Sequence, residues 1–253
     1  MKLHMKLLVF FCVLYLLCGR VISKDKHTRP STSTHKPEPH QCSVQKNKQH
    51  ICSCAIIHQE WILTANHCFM DYLNFENGKS INNIIQDHDI LLVGTGKRYS
   101  LEAYIQYDQN FMGYRYQVDI GLIKVNGAMS LVPYNILNIC NYPFVQPDMQ
   151  LVAKGYQWNS GLKPRELSLK VLKNVSTFDS NFHFCTKNFE GQGMSGGPIV
   201  DGNGRLVGIL RGSGTGINNK KVKLFTRISH IHTWIKSKIN YYRCERQICC
   251  IFS

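Results

Sequence analysis

Between Cys42 and about Ile231 the hydrophobic positions fall in short runs separated by turn residues. The runs are Cys54–Thr64, Ile90–Gly94, Ile120–Val125, Gln150–Ala153, Pro198–Val200, Leu206–Leu210 and Val222–Ile228. Asn77-Gly78, Asn126-Gly127 and Gly202-Asn203-Gly204 punctuate them, and such pairs accept the positive φ that tight hairpins demand. Many short strands with these breaks predict an all-β sandwich or barrel. A helical period holds only over Ser229–Asn240, where Ile231, Trp234, Ile235 and Ile239 share a face, so a C-terminal helix is expected there.

The two ends differ from this middle. Lys2 and Lys6 precede an apolar run, Leu7–Leu17, with Val21 and Ser23 as small residues beyond it. That is the layout of a secretory signal peptide over residues 1–23, and the run is shorter than the ~20 residues a bilayer span needs. Cleavage fits best after Ser23, with Gly19 as the alternative. No later segment reaches spanning length without charges, so a secreted, extracellular protein without a membrane span is expected. Residues 24–38, rich in Lys, Ser, Thr and Pro, read as a flexible lead-in. One packed domain is expected over 39–240, and a cysteine-containing tail over 241–253. A chain of 253 residues suits one double-layered or barrel-type domain, or two small domains.

Composition narrows the classes. With 43% hydrophobic and 18% charged residues, the chain is neither disordered, collagen-like nor a coiled coil. A formal net charge of +14 favours acidic partners, acidic surfaces or glycans. No Lys/Arg block is interleaved with aromatics, so nucleic-acid binding is not expected. Of the 11 cysteines, Cys12 and Cys18 leave with the signal. Cys42, Cys52, Cys54, Cys68, Cys140, Cys185, Cys244, Cys249 and Cys250 remain, an odd number, so one thiol stays free or pairs with another chain. In an oxidising compartment these are disulfide candidates before metal ligands. Cys52-Ser53-Cys54 and Cys249-Cys250 lack zinc-site spacing. Cys42 and Cys54 sit symmetrically about a turn at Lys46–Gln49, which suggests a cross-strand bridge.

Three segments carry candidate chemistry: Trp61–Cys68 (WILTANHC), Val118–Lys124 (VDIGLIK) and Gly191–Val200 (GQGMSGGPIV). A serine hydroxyl is a weak nucleophile and needs an imidazole to take its proton. The imidazole in turn needs a carboxylate to fix its tautomer. The attacked carbonyl needs preorganised backbone donors, and glycines around the serine let the chain present them. Each motif alone has a structural reading; their combination is what points to hydrolysis. Other histidines (His27, His35, His40 and the one in Asp87-His88-Asp89) are read as solvated loop residues.

In this order, His then Asp then Ser, the chain resembles the chymotrypsin/trypsin-like serine peptidases. Weaker echoes at 39–45, 50–52, 206–209, 224–228 and 234–235 extend the resemblance over about residues 39–240. It implies two packed six-stranded antiparallel barrels, meeting near 126–135, with a C-terminal helix. It implies His67 as general base, Asp119 as its orienting carboxylate and Ser195 as acylated nucleophile. The N–H groups of Gly193 and Ser195 would form the oxyanion hole. The implied activity is a serine endopeptidase acting on protein or peptide substrates through an acyl-enzyme, with no metal or organic cofactor.

The chain departs from the family in two linked places. No aliphatic segment capable of becoming a new N-terminus stands near His27, and the Asp that would pair with its ammonium is replaced by Met194. A zymogen switch of that kind is therefore not expected, and Met194 could pack where the ion pair would lie. Two outcomes follow: an enzyme active as made, or a catalytically silent homologue that binds. A basic glycan-binding module on the same scaffold is a third. By resemblance Cys52 and Cys68 form the bridge bracing the histidine loop. Family cysteines are replaced in pairs at Leu151 with Asp201 and at Gly191 with Gly216. Cys185 lacks its usual mate, leaving Cys140 or a tail cysteine. The specificity pocket would involve Phe189, Gln192, Arg211, Gly212, Ser213 and Lys223. Phe189 stands where an acidic floor would select Lys or Arg, so such substrates should be poor. Lys223 replaces a pocket-lining glycine, as either a cation for an acidic side chain or a snorkelling surface lysine. Asn174-Val175-Ser176 is an N-glycosylation sequon.

Overall fold

A computed structural model of the chain describes residues 41–69, 81–107, 118–131, 136–139, 145–158, 161–173, 180–216 and 219–239. They belong to a compact unit, His35–Ser253. The leader, the lead-in, the tail, the sequon at Asn174 and Cys140, Cys244, Cys249 and Cys250 lie outside the described residues, as do His27, His35 and His40.

The first half is a closed barrel. Its strands are β1 (Gln41–Lys46), β2 (Gln49–Ile56), β3 (Trp61–Thr64), β4 (His88–Leu92), β5 (Lys97–Gln106) and β6 (Gly121–Val125), closed in the order β1-β2-β3-β6-β5-β4. The β1–β2 hairpin turns through Asn47 and Lys48, both at positive φ (51° and 64°), which is the type I′ geometry that matches strand twist. Its register sets Cys42 opposite Cys54, and the two are disulfide-bonded as the symmetric spacing suggests. The run Cys54–Thr64 divides into β2, a turn and β3, which pair antiparallel. A short helix, α1 (Ile81–Asp87), precedes β4 and has no counterpart in the sequence reading.

The second half is a six-stranded antiparallel sheet in the order β8-β7-β10-β11-β12-β9. Its strands are β7 (Gln150–Trp158), β8 (Leu162–Lys170), β9 (His183–Lys187), β10 (Pro198–Val200), β11 (Leu206–Thr215) and β12 (Lys221–Arg227). Its edges approach each other just past β8, where Val171 bridges Thr186 of β9. Strand β8 stayed outside the apolar runs because none of its positions is fully buried and its exposed residues include Lys163, Glu166 and Lys170. Pro164 is tolerated there because β8 pairs on one side only, with β7. The helix α2 (Ile228–Ile239) starts one residue earlier than the periodicity predicts and buries Ile228, Ile231 and Ile235.

Three apolar clusters account for most of the packing. One fills the barrel around Val44, Ile56, Phe69, Ile90 and Ile123. A second fills the other sheet around Leu151, Phe184, Ile199 and Phe225. The third joins the halves: Ala55, Leu63, Ile120 and Leu122 meet Ile209, Ile231 and Ile235. Each fully buried aliphatic side chain of this kind contributes roughly 1.5–3 kcal/mol.

His88 corrects the sequence reading. It is buried on β4, its Nδ1 hydrogen-bonds the Ile84 carbonyl at 2.9 Å, and its ring stands edge-on to Phe69 with centroids 4.9 Å apart. Flanking aspartates made it look solvated, but strand alternation turns it inward. Burial pushes the pKa of His88 below the ordinary histidine value of 6.5, and burial does the same to His232 on α2. The folded state resists protonating both, so the unfolded chain binds more protons as pH falls. Stability is therefore expected to decline as pH drops from 6.5 toward 5. Urea midpoints at pH 7.5, 6 and 5 check this, and a flat series contradicts it.

Candidate active site

His67 lies on a 3-10 turn, Asn66–Phe69, directly after β3. Buried Phe69 anchors the turn below, and the Cys52–Cys68 disulfide ties it to β2. Asp119 sits between buried Val118 and Ile120 just before β6. Its carboxylate holds the histidine at two points. Oδ1 accepts from the His67 backbone N–H at 2.8 Å, and Oδ2 contacts Nδ1 at 2.6 Å. That grip makes Nδ1 the protonated nitrogen and leaves Nε2 as the basic one. The Asp119 side chain is 10% exposed and that of His67 33%, so the pair is sheltered on one side and open on the other.

Tyr104 and Asn66 complete the surroundings and were not singled out from sequence. The Tyr104 hydroxyl donates to Asn66 Oδ1. Burial, and secondarily the negative charge of Asp119, push the phenol pKa well above its usual value, so it stays neutral. A Cβ at Gly121 would stand 2.7 Å from the Tyr104 ring. The glycine of the Asp-Ile-Gly-Leu motif is thus a packing requirement of this tyrosine. Cys52, His67 and Cys68 offer clustered ligand atoms, but the two sulfurs are bonded to each other and hold no thiolate for a metal.

Ser195 lies in a double turn. Met194 N–H donates to Gly191 O at 3.1 Å, and Gly197 N–H to Met194 O at 2.9 Å. Gly193 (φ +86°) and Gly196 (φ +78°) each occupy the third position of their turn, the type II arrangement that favours glycine. Neither Gly193 N–H nor Ser195 N–H donates to a backbone carbonyl among the described residues. The Gly193 carbonyl, in contrast, is held from behind. It accepts from His50 Nε2 at 3.0 Å and from Ser53 Oγ at 3.0 Å. His50 Nδ1 contacts Ser43 Oγ at 2.8 Å, and Gln45 Nε2 donates to that oxygen at 3.2 Å. Burial lowers the His50 pKa, in keeping with a neutral ring that donates through Nε2. A Cβ at Gly193 would lie 2.7 Å from His50 Nε2.

Sequence reasoning used His50 only as part of a strand echo, and Ser43 and Gln45 only as strand residues. Alternation gave no signal for them: Ser43, Gln45 and Ser53 are polar residues on stretches of β1 and β2 that are buried on both faces, where apolar side chains are the norm. Met194 is fully buried within the apolar cluster of the second sheet.

Beside the serine turn lies a cavity of about 500 Å³. Of the six residues assigned to a pocket, Phe189, Gln192, Ser213 and Lys223 line it. Arg211 and Gly212 do not. The β11–β12 ladder shifts register between Leu210 and Gly212, which places Arg211 on a bulge. Such a bulge re-aims its side chain, and the Arg211 guanidinium lies 3.3 Å from His183 Nε2 instead. Cys185 is a buried free thiol. Burial raises its pKa to about 11, which makes it a poor nucleophile.

A model of the trypsin family, described as "Trypsin", matches residues 28–235. The chain belongs to the trypsin family. Among curated relatives, transmembrane protease serine 11G of Rattus norvegicus is 25% identical over 80% of this chain and 52% of its own length. Granzyme M of Rattus norvegicus is 27% identical over 79% of this chain and 84% of its own. The chain thus spans about half the length of the first curated relatives it matches. Among solved structures, kallikrein-related peptidase 10 superimposes with a TM-score of 0.61 at 20% identity, covering 82% of this chain and 98% of its own. Among the described residues, no helix is long and apolar enough to cross a membrane.

Gly196 offers a direct test of the serine turn. A Cβ there would lie 2.2 Å from Thr64 Oγ1 and 2.3 Å from the Ser53 carbonyl, at a φ that L residues avoid. Gly196→Ala is expected to destabilise the fold by about 2–5 kcal/mol, combining backbone strain with overpacking. Chemical denaturation measures it; a loss below about 1 kcal/mol contradicts this packing.

Proposed function

We propose that the protein is a secreted serine endopeptidase in which Ser195, His67 and Asp119 carry the chemistry. Ser195 Oγ attacks the carbonyl of a peptide bond while His67 Nε2 takes its proton. Asp119 holds the ring by Nδ1 and steadies the imidazolium that forms. The Gly193 and Ser195 N–H groups receive the developing oxyanion. His67 then passes its proton to the departing amine, and water hydrolyses the acyl-enzyme by the reverse relay. Secretion rests on the signal-like residues 1–23. The observation that supports this reading most is the paired hold of one carboxylate on His67, at 2.8 and 2.6 Å, which leaves Nε2 as the ring's basic nitrogen.

The geometry also supports activity without an N-terminal ammonium. Met194 is already buried in apolar surroundings, and two hydrogen bonds hold the Gly193 carbonyl, one peptide beyond the Gly193 N–H, in a turn that a liberated terminus would otherwise shape. A fluorophosphonate probe should label the full chain at one site, and Ser195→Ala should abolish labelling. No labelling of the wild-type chain leaves the silent, binding homologue as the reading. Removing the prop behind Gly193 should loosen one oxyanion donor. His50→Ala is expected to lower kcat by about 10- to 100-fold, at or below the 10²–10³ that losing such a donor outright costs, with KM changed little. Steady-state kinetics decides; an unchanged kcat refutes the support role.

A further inference from the structure

We propose that the cavity lined by Gly191 and Gln192 of the serine turn receives an acidic side chain, aspartate or glutamate, with the Lys223 ammonium as its counter-charge. This inference deepens the peptidase reading and rests on it for the word substrate, but the cavity's chemistry can be measured without turnover.

Lys223 is not the snorkelling surface lysine that sequence alone leaves open. It is 8% exposed, and its place on β12, in register with Ser213 of β11, faces it into the cavity. Nζ donates to Ser213 Oγ at 2.9 Å and stands 5.1 Å from the Phe189 ring centroid. An ammonium has three donors, and the ring face stabilises the cation without neutralising it. Among the described residues no carboxylate lies within salt-bridge distance of this nitrogen. A charge largely removed from solvent without a counter-ion is destabilised, and burial lowers the Lys223 pKa accordingly.

An entering carboxylate supplies what the site lacks. It takes the free donors of Nζ, with Ser213 Oγ beside them and the Phe189 ring on the apolar side. A neutral amide of the same shape leaves the ammonium unpaired, and Arg or Lys meets a like charge. Two other charged residues line the cavity, Lys221 and Glu190. Both are exposed and of opposite sign, so solvent screens them and they offset each other. The buried Lys223 sets the sign of the pocket.

The test uses the full chain and peptides differing only at the residue before the cleaved bond: Glu, Asp, Gln, Leu or Arg. Binding to Ser195→Ala is read by calorimetry with peptides ending at that residue. Glu or Asp is expected to bind about 10- to 100-fold tighter than Gln, the range of a hydrogen bond to a charged group. In Lys223→Met the Glu and Gln peptides should differ by less than about threefold. Ser213→Asp, which places a carboxylate beside Nζ, should abolish the preference even if the methionine variant folds poorly. Equal binding of Glu and Gln peptides, or a preference for Arg, overturns the proposal. Fluorophosphonate labelling of the wild-type chain reads the peptidase hypothesis separately. Labelling without acidic preference sinks this inference alone, whereas acidic preference without labelling sinks only catalysis.

Discussion

Ser53 is the point where the two halves of the molecule are locked together at the Ser195 turn. It is fully buried on β2, and each of its polar groups is engaged. Its backbone N–H donates to the Ser195 carbonyl at 2.8 Å, and its carbonyl accepts from Thr64 Oγ1 at 2.9 Å. Its hydroxyl accepts from the Tyr156 N–H at 2.8 Å and donates to the Gly193 carbonyl at 3.0 Å. A buried hydroxyl left unsatisfied costs about 1–3 kcal/mol. The barrel and the serine turn therefore have one favourable relative placement. Gly155, Gly196 and Gly197 pack so closely around Ser53 that a Cβ at any of them would touch it.

The same constraint explains how the serine turn keeps its shape with Met194 in place of an acid. A buried carboxylate at that position would need a buried partner, and without one it would cost several kcal/mol. The methionine joins Ala153, Ile199 and Leu210 in the apolar cluster and needs none. Orientation of the adjacent peptide passes to neutral hydrogen bonds from His50 and Ser53. Packing and hydrogen bonding hold this turn at a position where a buried acid would need an ion pair.

Around the cavity, two cations have diverged in role through backbone geometry. Arg211 falls on the bulge of β11 and turns to His183, whereas Lys223 lies in register with Ser213 and faces inward. One extra residue in one strand separates them. The ladder on either side of the bulge is intact, so the difference is local.

The strand texture, the C-terminal helix and the candidate residues His67, Asp119 and Ser195 were legible because each rests on local pattern: turn chemistry, the spacing of apolar residues, or a short motif. The Cys42–Cys54 bridge was legible for the same reason, since a two-residue turn fixes which residues face each other. Strand β8, buried His88, the direction of Arg211 and the Gln45–Ser43–His50 chain behind Gly193 were not. Each depends on what another segment places opposite it, and no local pattern encodes that. The sequence by itself determined which groups could act and which turns they sit on. Only the tertiary structure decided that a polar residue spaced between two cysteines would join both halves, and that a lysine on a late strand would be enclosed with no counter-ion among the described residues. Burial and pairing are properties of the assembled surfaces, and they come into being only when the strands meet.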